Sequence, residues 1–354
     1  MIKKLKENID KELASLLCDI NKNLKIKAIS PILSANIKDF VLRPGKRIRP
    51  ILFILSYLGY TKKNKVSHKN IIKCSLAFEL LHDFLLIHDD IIDNSDIRRG
   101  KPTMHRLFNK KFKIPKNNKL GYDLSIITGD ILFASSLDPL LSFDEKPFHK
   151  ESALRIFIHA AACTGLGEYI DVVNDTKEIN DIKEKDVSFT YHMKTSKYTF
   201  ETPLLAGAAL AGANIREKDL LSRLSYQLGE AFQIQDDLLD IFSSTEKTGK
   251  PVLSDLKESK KTLLAWKTYR NLCTNDRLIF KRIFNKPEKT SRDLSVLRTL
   301  IINSKAADYC LRRVHSLVRE AGKNLDAIKL KPEYKKILIK LIKDSILKTD
   351  LVKI

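Results

Sequence analysis

Residues 80–100 read LLHDFLLIHDDIIDNSDIRRG, an apolar segment that runs directly into three closely spaced aspartates and then into two adjacent arginines. Carboxylates as close together as those of Asp89, Asp90 and Asp93 repel one another unless a cation lies between them. They would also lie at the C-terminal end of a helix, where the macrodipole disfavours negative charge. The stretch therefore predicts a buried helix that ends at a cation-binding site.

A second segment repeats this arrangement. It spans residues 229–250 as GEAFQIQDDLLDIFSSTEKTGK and carries the same D-D-x-x-D pattern at Asp236, Asp237 and Asp240. Residues four apart share a helix face, so the first and last carboxylates of each copy project the same way. Two such pairs facing each other across an interior cavity would suit Mg²⁺, which completes its shell with oxygens of a substrate phosphate. The repeat thus predicts a metal site and a phosphorylated substrate.

Apolar residues recur at helical spacing through most of the chain, beginning with residues 3–27. Short clusters such as RPGK and NKPEK separate segments of roughly ten to thirty residues, which show hardly any alternating β-branched pattern. We therefore expect an all-α fold, a helical bundle around a central apolar cavity, formed by residues 1–354 as a single domain. Residues 290–354 are interpreted as charged amphipathic helices.

The composition favours anionic partners. The chain has 354 residues, of which 43% are hydrophobic, and its 64 Lys and Arg against 43 Asp and Glu give a formal net charge of +21. Such a charge suits nucleic acid, an acidic membrane or a phosphorylated small molecule. Because the lysines are spread along the whole chain rather than gathered into an aromatic-interleaved patch, we interpret much of the excess as solvated surface and expect no nucleic-acid partner.

The cysteines and the N-terminus favour a cytoplasmic protein. The five cysteines are odd in number, far apart and without a CxxC pair, which is typical of reduced thiols. The N-terminal residues carry acidic groups and lack the apolar core of a secretory signal. No uncharged apolar run is long enough to cross a bilayer, so we expect no transmembrane segment.

Basic residues accompany both aspartate motifs. RPGKRIRP brings Lys46, Arg47 and Arg49 beside Gly45, whose backbone can approach an anion closely. The other candidates are Arg98, Arg99, Lys194, Thr195, Lys250 and Lys260. Each alone would more often be surface charge, and this is our interpretation of Arg47 and Lys197. Together the cations suggest two diphosphate pockets, one bridged by metal and one built of lysine, arginine and histidine.

These motifs together resemble the trans-type short-chain isoprenyl diphosphate synthases of the polyprenyl synthetase family, most closely those that make geranylgeranyl and farnesyl diphosphate. The resemblance is carried, in chain order, by GKRIR, HDDIID with RRGKPTMH, KTSKYTFETPLLAGA, FQIQDDLLD and GKPVLSDLKESKKTLL. It covers about residues 43–264.

The resemblance implies a head-to-tail condensation of isopentenyl diphosphate with an allylic diphosphate (dimethylallyl, geranyl or farnesyl). Asp89, Asp93 and Asp236, supported by Asp90, Asp237 and Asp240, would hold a trio of Mg²⁺ ions, which Mn²⁺ could replace. The residues implied to bind the allylic diphosphate are Arg98, Lys194, Thr195, Gln233, Lys250 and Lys260. Those implied to bind isopentenyl diphosphate are Gly45, Lys46, Arg49, His82 and Arg99. Homodimers, with the helix at 121–141 as a candidate interface, and transient membrane contact during product release are implied as well.

The product is predicted from the residues before the first motif. Phe84 lies five residues before Asp89, about 7 to 8 Å down the helix at 1.5 Å per residue, and is a candidate floor for the growing chain. Leu85 stands where farnesyl diphosphate synthases often carry a second aromatic. We hypothesise geranylgeranyl diphosphate, with farnesyl or another trans-polyprenyl diphosphate as the alternative. Phe84 and Phe78 also fit an ordinary core.

Two positions depart from the family pattern. Glu168 stands where a glutamine is often found, and Ser259 where a glycine is common. Neither is a principal metal ligand, so we expect altered loop geometry at most. Three other functions stay open: a class I terpene cyclase, which usually has a different second metal motif; a non-catalytic regulatory subunit, which normally loses one aspartate motif; and a nucleic-acid-binding protein, supported by net charge alone.

Overall fold

Helices form nearly all of the regular structure in the computed structural model, which describes residues 2–116, 118–243 and 253–346. The strands in these residues are one two-residue pair, so the all-α prediction is confirmed. The described residues fall into two compact units. The first is drawn from Met1–Ile158, Thr202–Lys218 and Lys329–Leu338, and the second from His159–Glu201, Asp219–Ile328 and Ile339–Ile354. The expectation of a single domain stays a prediction.

The first half of the chain builds most of the first unit. Its elements are α1 Ile2–Asn23, α2 Ile26–Ile29, α3 Pro31–Val41, α4 Ile48–Tyr60, α5 His68–Ile92, β1 Ile97–Arg98, β2 Lys101–Pro102, α6 Met104–Lys111, α7 Lys119–Leu141, α8 Pro147–Asp175 and α10 Thr202–Leu210. The helix expected over 3–27 is therefore interrupted, at Lys25, where φ is +53°.

The core of the first unit positions α5. This helix begins at Ser67, whose side chain accepts from the Asn70 backbone N–H, and packs along α7 on one side and α4 on another. In turn α4 packs closely on α10, because a Cβ added at Gly207 would lie 2.6 Å from the Phe53 carbonyl oxygen. Buried aromatic rings such as Phe53 and Phe78, with centroids 4.7 Å apart, fill the space between helices. The apolar part of the 80–100 stretch is thus a core helix, as expected.

The second unit contains the remaining elements. They are α9 Glu184–Tyr191, a π-helix at His192–Glu201, α11 Ile215–Phe242, α12 Ser254–Glu258, α13 Leu263–Asn271, α14 Thr274–Phe284, α15 Ser291–Asn303, α16 Ala306–Ala327 and α17 Pro332–Ile346, with the C-terminal part of α8. The first residues of α11 and α17 belong to the first unit. The helices α15 to α17 agree with the amphipathic pattern expected after residue 290. The π-helix was not predicted, and such helices are rare and frequent at functional sites.

Two helices meet the length and composition of a membrane span. They are α7 and α8. In the most apolar 18 residues of each helix, 39% and 28% of the residues, respectively, are buried within the structure. Core helices of soluble proteins satisfy the same two criteria, so length and apolarity do not assign these helices to a bilayer. All five cysteines carry free thiols.

Candidate active site

The first aspartate motif lies at the C-terminal end of α5. The helix ends with Ile92, and the Asp93 backbone N–H donates to the Asp89 carbonyl oxygen. Asp90 is fully buried, whereas Asp89 and Asp93 are half-buried. The helix therefore directs the three side chains differently: one carboxylate points into the protein and two remain accessible to solvent.

Arg98 joins two of these carboxylates. Its Nε donates to Asp90 Oδ1 at 2.7 Å and its Nη2 to Asp89 Oδ2 at 2.9 Å. Burial raises the pKa of Asp90 to about 6, and this rise is opposed by the Arg98 guanidinium. The guanidinium predicted to bind a diphosphate thus also neutralises the aspartates.

A β-hairpin carries both candidate arginines. Strands β1 and β2 pair antiparallel, and the two residues between them, Arg99 and Gly100, have φ values of +55° and +72°. Positive φ at both positions is typical of the type I′ turn. The hairpin is held from below by Arg43, which is buried and donates to the carbonyl oxygens of Arg98 and Pro102 at 3.1 and 2.7 Å. Arg43 was not recognised in the sequence as a supporting residue.

The RPGKR loop lies beside this hairpin. A Cβ added at Gly45 would lie 3.7 Å from Cζ of Arg99. Lys46 is exposed and Arg49, in the first turn of α4, is half-buried. The interpretation of Arg47 as surface charge is wrong, because this side chain is buried and binds Glu79 at 2.5 Å and Asp10 at 2.7 Å. It shapes the loop through these ion pairs.

Below the loop, α5 contributes a histidine and a second buried carboxyl group. Burial and the neighbouring Arg49 and Arg99 hold the pKa of His82 well below its ordinary value. Asp83 is fully buried, and Arg99 Nη1 lies 3.9 Å from its Oδ1. His82, Arg49 and Arg99 are therefore close enough to influence one another electrostatically, as a shared anion site requires.

Phe84 packs between α5 and α7. Its ring centroid lies 5.1 Å from that of Phe133 and 4.7 Å from that of His88, and the side chain is half-buried. Leu85 is half-buried too, whereas Phe78 is fully buried against Phe53 and Phe157. Phe78 is thus a core residue, and Phe84 keeps an accessible surface.

The π-helix presents Lys194 and Thr195 in the second unit. Lys194 Nζ pairs with Glu168 Oε2 at 2.8 Å and with Asp171 Oδ2 at 2.9 Å, both on α8. The two helices approach closely at Gly167, where an added Cβ would lie 2.5 Å from the Lys194 backbone nitrogen. The departure at Glu168 therefore changes the charge beside Lys194. Glu168 lies within α8, so of the two outcomes expected here, altered loop geometry or none, the second applies.

One further carboxylate, that of Asp175, continues this row on α8. Lys260 Nζ lies 3.6 Å from Asp171 Oδ2 and 3.3 Å from Asp175 Oδ2. Burial raises the pKa of Asp175 to about 6, against the effect of Lys260. Lys197, interpreted as surface charge, is half-buried and pairs with Glu201 at 2.9 Å. Lys250 lies outside the described residues.

Ser259 adopts the left-handed backbone conformation that a glycine would take at this position. Its φ is +62°, a conformation that favours glycine, and its hydroxyl donates to the Phe284 carbonyl oxygen at 2.6 Å.

The second aspartate motif lies in the last turns of α11, and its three side chains differ. Asp236 is exposed. Asp237 is buried and accepts from Tyr191 Oη and from Gln233 Nε2, the latter at 2.9 Å. Asp240 accepts from Ser254 Oγ at 2.7 Å and from the Asp255 backbone N–H at 3.1 Å, which connects α11 to α12. Gln233 Oε1 also accepts from Thr195 Oγ1 at 2.7 Å.

Each aspartate motif, taken by itself, offers oxygen donors that fit Mg²⁺ bound in part by a substrate. Among residues 2–116, 118–243 and 253–346, no three Asp, Glu, His or Cys side chains converge as a protein-only metal cage. In the first motif, Asp89 and Asp93 are half-buried, while Asp90 is buried with a protein donor. In the second motif, Asp236 is exposed and Asp240 is half-buried, while Asp237 is buried with protein donors. Magnesium keeps waters and binds through few carboxylates plus phosphate oxygens, so these oxygen donors suit it.

Residues that sequence reasoning missed differ in the signal they left. The acidic row at Glu168, Asp171 and Asp175 has helical spacing and could have been recognised on one face of α8. The pairing of Tyr191 with Asp237 joins residues 46 apart and had no local signal.

Comparison with known proteins agrees with the family resemblance. Residues 30–301 match the family described as Polyprenyl synthetase. The geranylgeranyl diphosphate synthase of Sulfolobus acidocaldarius is 31% identical over 82% of this chain and 82% of its own. A farnesyl diphosphate synthase of Geobacillus stearothermophilus is 32% identical over 62% of this chain and 69% of its own.

The fold is shared with solved structures. The geranylgeranyl pyrophosphate synthase from Corynebacterium glutamicum, complexed with isoprenyl diphosphate and magnesium, superposes with a TM-score of 0.89 at 25% identity, covering 98% of this chain and 99% of that chain. The match of the family over most of the chain agrees with the five motifs and with the all-helical fold. The chain therefore belongs to the polyprenyl synthetase family and is a prenyltransferase of the trans-isoprenyl diphosphate synthase type.

Proposed function

We propose that this protein condenses isopentenyl diphosphate head-to-tail with an allylic diphosphate in a Mg²⁺-dependent reaction that ends at geranylgeranyl diphosphate. The observation that carries the proposal is the pairing of carboxylates with cations in each of the two units. Arg98 lies on Asp89 and Asp90 in the first unit, and Lys194 lies on Glu168 and Asp171 in the second. Such groups can exchange their internal partners for metal and diphosphate.

Metal ions held by Asp89, Asp93 and Asp236 would neutralise the leaving diphosphate, so that the allylic carbon–oxygen bond can ionise. We assign a trio of Mg²⁺ ions, replaceable by Mn²⁺. The residues assigned to the allylic diphosphate are Arg98, Lys194, Thr195, Gln233, Lys250 and Lys260. Asp90, Asp237 and Asp240 support the two motifs through their hydrogen bonds.

The second diphosphate is assigned to the basic loop and the hairpin. Lys46, Arg49 and Arg99 supply positive charge, and Gly45 allows close approach of the loop backbone. His82 is neutral at pH 7 because its pKa is lowered, so we assign it as a hydrogen-bond donor rather than a cation. The double bond of isopentenyl diphosphate then attacks the allylic cation, and the new cation loses a proton to the departing diphosphate. A protein nucleophile is not needed.

The choice of geranylgeranyl diphosphate depends on Phe84. Its half-buried ring lies against Phe133 of α7, where it can limit the growing chain. Leu85 beside it is smaller than the aromatic that we associate with shorter products. Farnesyl or another trans-polyprenyl diphosphate is the alternative, since relatives of similar identity make different products.

We further propose a cytoplasmic homodimer that touches the membrane transiently when the apolar product leaves. The free thiols agree with a reducing compartment. Exposed apolar residues on α7, such as Ile126 and Ile127, support a subunit interface.

The first test incubates purified protein with Mg²⁺, labelled isopentenyl diphosphate and, separately, dimethylallyl, geranyl or farnesyl diphosphate, followed by chromatography of the dephosphorylated products. We expect geranylgeraniol, and we expect EDTA to abolish elongation reversibly. Asp236→Asn should lower kcat/KM by at least about 100-fold, because it removes a metal ligand. The matched control is Asp219→Asn, an exposed aspartate on the same helix, which should retain activity.

The outcomes separate reaction from product. If the product alcohol is shorter or longer than geranylgeraniol, the proposed prenyl transfer stands and geranylgeranyl diphosphate is rejected as the product. If folded protein elongates none of the starters, the catalytic proposal fails and the non-catalytic regulatory subunit becomes the better explanation.

A further inference from the structure

Tyr191, the last residue of α9, connects three helices of the second unit through its hydroxyl group. It is 7% exposed. The hydroxyl donates to Asp237 Oδ2 on α11 and accepts from the backbone N–H of Leu263 on α13 at 2.8 Å. A buried tyrosine hydroxyl with both a donor and an acceptor partner has a fixed orientation.

Asp237 receives a second chain of hydrogen bonds on its other oxygen. Gln233 Nε2 donates to Asp237 Oδ1 at 2.9 Å, and Thr195 Oγ1 donates to Gln233 Oε1 at 2.7 Å. Because Asp237 Oδ1 accepts in this arrangement, the Gln233 amide turns its NH₂ group toward Asp237 and its oxygen toward Thr195. The opposite amide orientation would place two oxygens against each other.

This direction determines what Thr195 can offer to a bound molecule. A threonine hydroxyl has one proton, and in this chain that proton is directed to Gln233. The Thr195 oxygen can then present only its lone pairs to a bound molecule. An electron-rich oxygen in a buried site stabilises developing positive charge.

We propose that Tyr191 is a positioning residue for prenyl transfer, which holds Asp237 as a double acceptor and thereby directs the Thr195 oxygen toward the allylic cation. The inference rests on the proposed function, which assigns Thr195 and Gln233 to the allylic diphosphate, and it adds that the Thr195 oxygen faces the carbon that ionises from this diphosphate. Without the Tyr191 hydroxyl, one buried oxygen of Asp237 loses its donor. Asp237 or the Gln233 amide can then rotate so that this oxygen finds another donor. Such a rotation breaks the series of hydrogen bonds from Asp237 through Gln233 to Thr195.

The first measurement compares kcat and KM for Tyr191→Phe and wild type. We expect kcat to fall about tenfold with both KM values within about twofold, because the hydroxyl acts on the cation rather than on diphosphate binding. The control is Tyr57→Phe, which also removes a buried hydroxyl that donates to a carboxylate, Glu145 at 2.6 Å; neither residue belongs to an aspartate motif. It should lower thermal stability and leave kcat unchanged.

A double-mutant cycle tests whether Tyr191 acts through Thr195. In a Thr195→Val background, which lacks the hydroxyl, Tyr191→Phe should change kcat by less than about twofold, since coupled residues are not additive. A full tenfold loss in that background, or an unchanged kcat of the single variant, would overturn the inference.

Gln233→Met provides a second variant if Tyr191→Phe does not fold. It removes the hydrogen bonds between Asp237 and Thr195, so it should lower kcat in the wild-type background but not in the Thr195→Val background. If the kcat losses of Gln233→Met and Thr195→Val are additive, the inference is contradicted. An inactive wild-type protein would overturn the proposed function together with the inference. Active wild type with a normal Tyr191→Phe variant would overturn the inference alone.

Discussion

Asp83 is the residue whose environment departs most from that of an aspartate in water. It is 0% exposed, and neither carboxyl oxygen has a hydrogen-bond partner within the described part of the chain. Burial, and then the charge of Glu79, raises the pKa of Asp83 to about 8, against the effect of Arg99, Arg47 and Arg49. Between its ordinary value of 3.8 and about pH 8, the folded state therefore holds a proton that the unfolded state has lost.

The consequence is a loss of stability as pH rises through this window. Because the folded state binds one more proton than the unfolded state, the free energy of unfolding falls by up to about 1.4 kcal/mol for each pH unit of increase. Asp83→Asn removes the titration, so its free energy of unfolding in urea, relative to wild type, should rise from pH 5 to pH 8 and level off above pH 8. The exposed Asp308→Asn should follow wild type in parallel. A constant difference for Asp83→Asn at every pH would contradict a titrating Asp83.

At the scale of elements, the packing of α5 on α7 determines how much room lies beneath the first aspartate motif. Phe84 and Phe133 occupy this contact, and Gly129 lets α7 approach α5, because an added Cβ would lie 2.5 Å from Nε2 of His88. Product length should therefore depend on both helices rather than on α5 alone.

Phe84→Ala should lengthen the product, because removal of the ring opens space along α5 below the motif. The measurement is chromatography of dephosphorylated products with farnesyl diphosphate as starter. Phe78→Leu, on the same helix but fully buried, should lower stability by about 1 to 3 kcal/mol without changing the product. An unchanged product from a folded Phe84→Ala variant would reject the floor.

At the scale of the whole molecule, exposed apolar side chains favour self-association. Ile127 on α7 is 53% exposed and follows another exposed isoleucine, Ile126. Ile215, the first residue of α11, is 68% exposed, but both of its sequence neighbours are polar. Contiguous apolar surface marks interfaces more reliably than single side chains.

We expect sedimentation velocity to show a dimer for wild type and a monomer for Ile127→Glu, because a charge buried in a symmetric interface is placed there twice. Ile215→Glu, at an exposed isoleucine outside the candidate interface, should remain dimeric. A monomeric wild type, or a dimer that tolerates Ile127→Glu, would exclude α7 as the interface.

Prediction from the sequence succeeded for the fold and the family, where the signal was local. Helical periodicity, the two D-D-x-x-D patterns and the ordered motifs depend on residues close in the chain, so the all-α fold and the family could be inferred from the order of residues alone. The π-helix around Lys194 could not, because wide helical turns are stabilised by tertiary contacts such as the approach of Gly167.

The sequence by itself determined which chemical groups are available: six aspartates in two motifs, the cations that follow them, and an apolar helix that leads to the first. Only the tertiary structure decided the roles those groups can take. It buried Arg47 against Glu79, placed Glu168 beside Lys194, and brought Tyr191 to Asp237, 46 residues away. The physical reason is that burial and hydrogen-bond partners depend on packing between distant segments, which periodicity along the chain does not encode.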